Sequence, residues 1–284
     1  MKKILLGLLA ASLFPALAPG HESYRLEKKD AVAQVFHFAS PEKPGIVKVD
    51  NVFGSITVSG TKTADVRLEA KKVLRADSQD DLQKAEREVV LKMAEKDNML
   101  DIYVDGPFRC QDGSRRGSGR DYTVTYDFTL QVPERTSLIL KTVNDGDIVV
   151  RNVRGEFTVR NVNGHIEMRD IAGPVDGKTV NGRIRAVFRE NPAAVCKFTT
   201  VNGDLEARFV PGLDAEFQLH TLNGGIYSDF PVSYLPAKPG TAKRENGRFV
   251  YRSRSSQGVR VGRGGPEISM ETLNGDILIA GDNK

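Results

Sequence analysis

Tryptophan is absent from this 284-residue chain, histidine occurs four times and cysteine twice. His21, His37, His165 and His220 nowhere fall at the spacing of a ligand pair, so no metal centre is expected from them. Two cysteines, Cys110 and Cys196, permit at most one disulfide. Aromatic residues are 7% of the chain and do not interleave with basic ones, which argues against nucleic acid as a partner. Neither sign of charge dominates. The formal net charge is +4, so binding of an anionic partner has to rest on local patches. There is no Gly-x-Ser-x-Gly elbow, and the glycine-rich stretch Gly113–Gly119 lacks the strand–loop–lysine–helix setting of a phosphate loop. No catalytic residues and no cofactor are expected.

Long apolar runs are also missing, apart from the first twenty residues. Lys2 and Lys3 precede an apolar stretch from Ile4 to Leu17, and Ala18-Pro19-Gly20 offers small residues for a cut before His21. Residues 1–20 read as a signal peptide, too short in its apolar part to span a bilayer. Its loss removes two lysines and lowers the formal charge to +2. The mature chain, residues 21–284, is expected to be one exported domain, periplasmic, cell-surface or secreted, without a transmembrane segment.

Glycine, at 27 residues, is abundant and ordered. Gly146, Gly155, Gly164, Gly173 and Gly182 recur every nine residues; Gly203 and Gly224 follow at intervals of 21, and Gly275 after 51. Two residues after each comes an apolar one: Ile148, Phe157, Ile166, Val175, Ile184, Leu205, Ile226 and Ile277. With apolar residues also at the fourth position, this is the period-two signature of strands with one buried face. Five of the glycines follow asparagine, in Asn163-Gly164, Asn181-Gly182, Asn202-Gly203, Asn223-Gly224 and Asn274-Gly275. Both residue types tolerate positive φ, so these pairs mark tight structural turns. A meander of antiparallel hairpins would use them. Stacked coils explain better why the same turn and core residue recur, since each coil buries its apolar side on the next. The expected fold class is therefore all-β: a β-solenoid of stacked coils with one short helix and two inserted loops. The segment Asn51–Val58 matches Asn152–Val159 position by position, so the same architecture is expected to begin near residue 32 and to be interrupted at about 60–136 and again at about 229–266.

The repeated Thr-Val-Asn-Gly-Asp-Ile type of motif, following the Asn-Val-x-Gly-x-Ile-x-Val segment at Asn51, resembles the bacterial "putative adhesin" family of β-solenoid domains over about residues 45–280. The resemblance implies an extracytoplasmic β-solenoid of the cell envelope and supplies no catalytic residues.

Within the first interruption, residues 64–72 and Tyr122–Val132 alternate as strands. Ser78 is placed to cap a short helix, and Glu95–Asn98 to turn a hairpin. Arg109–Arg120 is a basic loop. Lys243–Arg263 carries seven basic residues. Five residues after successive glycines stand Arg151, Arg160, Arg169 and Lys178. With two nine-residue units per coil, Arg151 should stack on Arg169 and Arg160 on Lys178. These are either solvated columns that discourage edge aggregation or an anion-binding face for acidic polysaccharide, lipid head groups or an envelope protein. Asp147, Asp204 and Asp276 are weak calcium candidates, because a calcium-binding nonapeptide needs two glycines and an aspartate per unit. Cys196 falls at an inward position and should be buried, either as a free thiol or bonded to Cys110. The expected role is a non-catalytic binding or scaffolding module. A carbohydrate-active enzyme with a groove on the coils and a self-assembling structural protein are the alternatives.

Overall fold

The computed structural model describes residues 24–40, 42–109, 122–236, 241–245, 248–252 and 257–281. The expected leader, Cys110, most of the basic loop and Asn246-Gly247 lie outside them.

The chain opens with β1 (Leu26–His37), β2 (Gly45–Asp50), β3 (Ile56–Thr61) and β4 (Asp65–Ala76). Helix α1 (Gln79–Glu88), the hairpin β5 (Val90–Lys96) and β6 (Met99–Asp105), and β7 (Tyr122–Pro133) follow. The regular stretch comprises β8 (Thr136–Lys141), β9 (Ile148–Arg151), β10 (Phe157–Arg160), β11 (Ile166–Ile171), β12 (Val175–Lys178), β13 (Ile184–Phe188), β14 (Cys196–Thr199) and β15 (Leu205–Phe209). The last part holds β16 (Ala215–Asn223), β17 (Ile226–Ser228), β18 (Val232–Tyr234), β19 (Thr241–Glu245), β20 (Arg248–Arg252), β21 (Gln257–Val261), β22 (Glu267–Asn274) and β23 (Ile277–Gly281).

Two large sheets hold nearly all of these strands. The first runs β1-β4-β7-β3-β9-β11-β13-β15-β23-β17 and the second β18-β21-β16-β22-β14-β12-β10-β8-β2-β6-β5. From β8 to β15 successive strands alternate between the sheets, and from β10 to β15 each pairs in parallel with the strand two before it. Ile148, Ile166 and Ile184 are direct partners across β9, β11 and β13, as are Leu138, Phe157 and Val175 across β8, β10 and β12. The Asn-Gly corners therefore carry the chain from one sheet to the other and do not close hairpins. Of the eight apolar residues two after glycine, seven are buried, and Ile226, on an edge strand, is partly covered.

The segment 60–136 extends the same two sheets. β4 and β7 join the first sheet, with β4 antiparallel, and β5 and β6 join the second. Ser78 caps α1 by accepting the Asp81 N–H at 3.1 Å, and Leu82 and Ala85 bury its apolar side. The β5–β6 turn is Asp97-Asn98, both at positive φ. The long Gly224-to-Gly275 interval has an unexpected cause: β22 and β23 fold back between β14/β15 and β16/β17, so the last motif lies spatially before the one that precedes it in sequence.

Candidate functional site

The repeated corners carry three ladders of polar contacts. In the first, the side chain two residues before the corner asparagine donates to a glycine carbonyl on a neighbouring rung: Thr142 to Gly54 (2.8 Å), Thr179 to Gly164 (3.0 Å), Thr200 to Gly182 (2.9 Å), Thr272 to Gly203 (3.0 Å) and Thr221 to Gly275 (2.9 Å). Asn161 does the same through Nδ2 to Gly146 at 3.0 Å. Most of these groups are buried, so each carbonyl would otherwise lose its partner. In the second ladder, asparagine amides bond end to end: Asn163 to Asn144, Asn181 to Asn163, Asn202 to Asn181, Asn274 to Asn202 and Asn223 to Asn274, all at 2.7–2.8 Å. In the third, Asp147 accepts the His165 N–H, His165 Nδ1 the Arg183 N–H, Asp204 the Asp276 N–H and Asp276 the Gly225 N–H.

These ladders reassign two expectations. None of the motif asparagines has positive φ; they are chosen for the amide ladder. The glycine demand is mainly one of space, since a Cβ on Gly182 would lie 2.1 Å from the Gly164 carbonyl oxygen. The three calcium candidates each spend an oxygen on a backbone N–H of the next rung. Among the described residues no three His, Cys, Asp or Glu side chains group as metal ligands.

The cations stack in the two pairs that the nine-residue spacing predicts, one pair on each sheet. Arg151 and Arg169 are partners on the outer face of the first sheet. Arg169 pairs with Glu167 there, within a row that also pairs Arg185 and Arg208 with Glu206. Arg160 and Lys178 are partners on the second sheet, and Lys141 of β8 adds a third cation in the same row. Sequence reasoning missed Lys141 because it precedes the first regular glycine. Asp50 lies 3.6 Å from Lys141, and Arg160 pairs with Asp176. Lys178 is exposed and makes no ion pair with a described residue. Two members of the Lys243–Arg263 stretch are neutralised: Arg260 by Glu216 and Arg263 by Asp214, each at 2.7 Å.

An open depression of about 480 Å³ lies at the strand ends, lined by Phe38, Glu42, Lys43, Thr61, Lys62, Glu134 and Arg135 among others. Glu134 accepts from Asn152 at 3.1 Å and sits 4.0 Å from Arg189. Lys72 is half-buried beside Tyr126, 5.7 Å from its ring centre, and donates to the Val89 carbonyl at 3.1 Å. Burial pushes its ammonium pKa down and the Tyr126 hydroxyl up. Cys196 is a fully buried free thiol whose pKa burial raises to about 11. No helix among the described residues is long and apolar enough to cross a membrane.

No protein-family model matches the chain, and no curated protein matches it. Among solved structures, a putative cell adhesion protein from Clostridium sporogenes is 10% identical, with 89% of this chain and 100% of that one covered and a TM-score of 0.42. A putative lipid binding protein from Parabacteroides distasonis is 9% identical, covering 88% and 96%, with a TM-score of 0.26. A putative adhesin from the same organism is 11% identical, covering 89% and 97%, with a TM-score of 0.23. Likeness at this level says nothing of what this chain binds.

Proposed function

We propose that the chain is an exported two-sheet β-solenoid that acts as a non-catalytic binding module and holds a polyanion on the outer face of its second sheet. The strand alternation and the motif ladders support the coil reading. The binding reading rests on one observation: Lys141, Arg160 and Lys178 stand in register on β8, β10 and β12, on neighbouring strands about 4.8 Å apart, and Lys178 makes no ion pair with a described residue. Such a row meets repeating negative charge, whether of acidic polysaccharide, anionic lipid head groups or an acidic envelope protein. The outer face of the first sheet fits less well, because Arg169, Arg185 and Arg208 there already pair with Glu167 and Glu206.

A carbohydrate-cleaving site needs two carboxylates facing each other across a groove. Glu42 and Glu134 share the depression with three cations, and Glu134 is held by Asn152 and Arg189, which favours binding over cleavage. The test presents the mature chain to acidic and neutral glycans and to vesicles with or without anionic lipid. Retention on the anionic members is expected, with loss in Lys141→Glu/Lys178→Glu and an unchanged melting temperature. A smaller loss is expected in Arg151→Glu/Arg169→Glu. Wild-type retention by the Lys141/Lys178 variant would refute the assignment.

A further inference from the structure

The two large sheets end in four strands, and three of them make poor templates for another chain. β17 and β18 have three residues each, and β5 presents Lys92, Glu95 and Lys96 at exposed positions. β1 has twelve residues, no proline and no glycine, and Ala31–Phe36 carries no charge. One side of β1 pairs with β4; among the described residues nothing pairs with the other. A long, flat edge of free N–H and C=O groups is what soluble proteins ordinarily avoid.

The ends of the stack differ in room as well. Beyond the rung of β2 and β3, the first sheet adds three strands and the second two, so β1 projects past its neighbour. Beyond β14 and β15, the second sheet adds four strands and the first two, so β17 is walled in by β21 and β18. Helix α1 packs against β1, β4 and β7, and Lys28 of β1 pairs with Glu86, so the layer facing β1 is this helix and no strand of the second sheet stands in the way of a strand added there.

We propose that β1 is the interface of a homodimer, pairing antiparallel with β1 of a second copy about a two-fold axis through Val32. The contact of Glu27 with His37, which only an axis through Val32 makes, selects this register. Ala31 then faces Ala33 of the second copy, Asp30 faces Gln34, Lys29 faces Val35, Lys28 faces Phe36 and Glu27 faces His37. No like charges oppose each other, whereas an axis through Lys29 or Asp30 sets that residue against itself. At each end of the seam the Glu27 carboxylate, held by Arg75 at 2.7 Å, meets the His37 ring, which Asp65 holds through Nδ1 at 2.7 Å. Odd shifts are forbidden because they set outward residues against inward ones.

The experiment is light scattering on the mature chain eluting from a sizing column, over a range of concentrations. Wild type is expected at dimer mass. Ala31→Lys/Ala33→Lys, at two exposed positions, opposes lysines across the seam and should raise the dimer dissociation constant at least about tenfold. Ala31→Glu/Ala33→Lys sets each glutamate against a lysine and should restore the dimer. A monomeric wild type, or equal masses for the two double variants, would overturn the proposal.

Discussion

Replacing Gly182 by alanine should be among the most damaging single changes in this chain, although it adds only a methyl group. The added Cβ would stand 2.1 Å from the Gly164 carbonyl oxygen, 2.7 Å from its carbon and 3.2 Å from the His165 nitrogen. Ordinary contact begins near 3.4 Å, so two backbones of adjacent rungs must part by about 1 Å. That movement strains the Thr179-to-Gly164 hydrogen bond and the one from the Gly182 N–H to the Asn202 carbonyl, at 3.0 and 2.9 Å. Two weakened hydrogen bonds at about 1 kcal/mol each, plus the opened seam, put the cost at roughly 3–5 kcal/mol. Two other glycines serve as controls. Gly212 has φ +82° and open space, so alanine there costs only the left-handed backbone, about 1 kcal/mol. Gly177 lies in β12, where a Cβ would meet its neighbours at 3.6–3.8 Å, so alanine fits and should be neutral or stabilising by up to about 1 kcal/mol. Urea unfolding of the three variants, followed by circular dichroism, gives the order Gly177, Gly212, Gly182. The steric argument fails if Gly182→Ala costs no more than Gly212→Ala.

Thr200→Val keeps the shape but leaves the Gly182 carbonyl without its 2.9 Å donor; a loss of about 1–2 kcal/mol is expected in the same assay, and recovery in Thr200→Ser. Lys72→Met removes a charge whose pKa burial depresses. The cost of burying that charge is present at neutral pH and fades as pH rises towards the ordinary lysine range, so wild type should gain on the variant in melts between pH 7 and about 10. A wild type that loses ground to the variant as pH rises would contradict this. In a Cys110→Ser chain, Cys196 should resist a thiol reagent at pH 8 and react at once in denaturant; equal rates would contradict its burial and raised pKa.

Much of this fold could be read directly from residue order. The apolar positions after each glycine, the Ser78 cap and the Asp97-Asn98 turn are local signals, and the structure places each as expected. The order of rungs was not legible. Thr272–Ile277 and Thr221–Ile226 carry nearly the same motif, so nothing local tells which of them neighbours Thr200–Leu205. The threonines were visible in the motif, but their role appears only once the neighbouring glycine carbonyl is known. The same holds for the cations. Spacing predicted that Arg160 and Lys178 would stack, yet Asp176 beside Arg160 and Lys141 ahead of the repeat required the pairing of β8, β10 and β12.

The central claim is that the second sheet's outer cations, and not a pocket, hold the partner. Backbone amide shifts recorded while an acidic polysaccharide is titrated into residues 21–284 test it most directly. The account predicts that the moving resonances belong to residues 139–141, 158–160 and 176–178. Shifts confined to the depression around Phe38, Lys62 and Arg135, or to the Arg151 and Arg169 face, would contradict it.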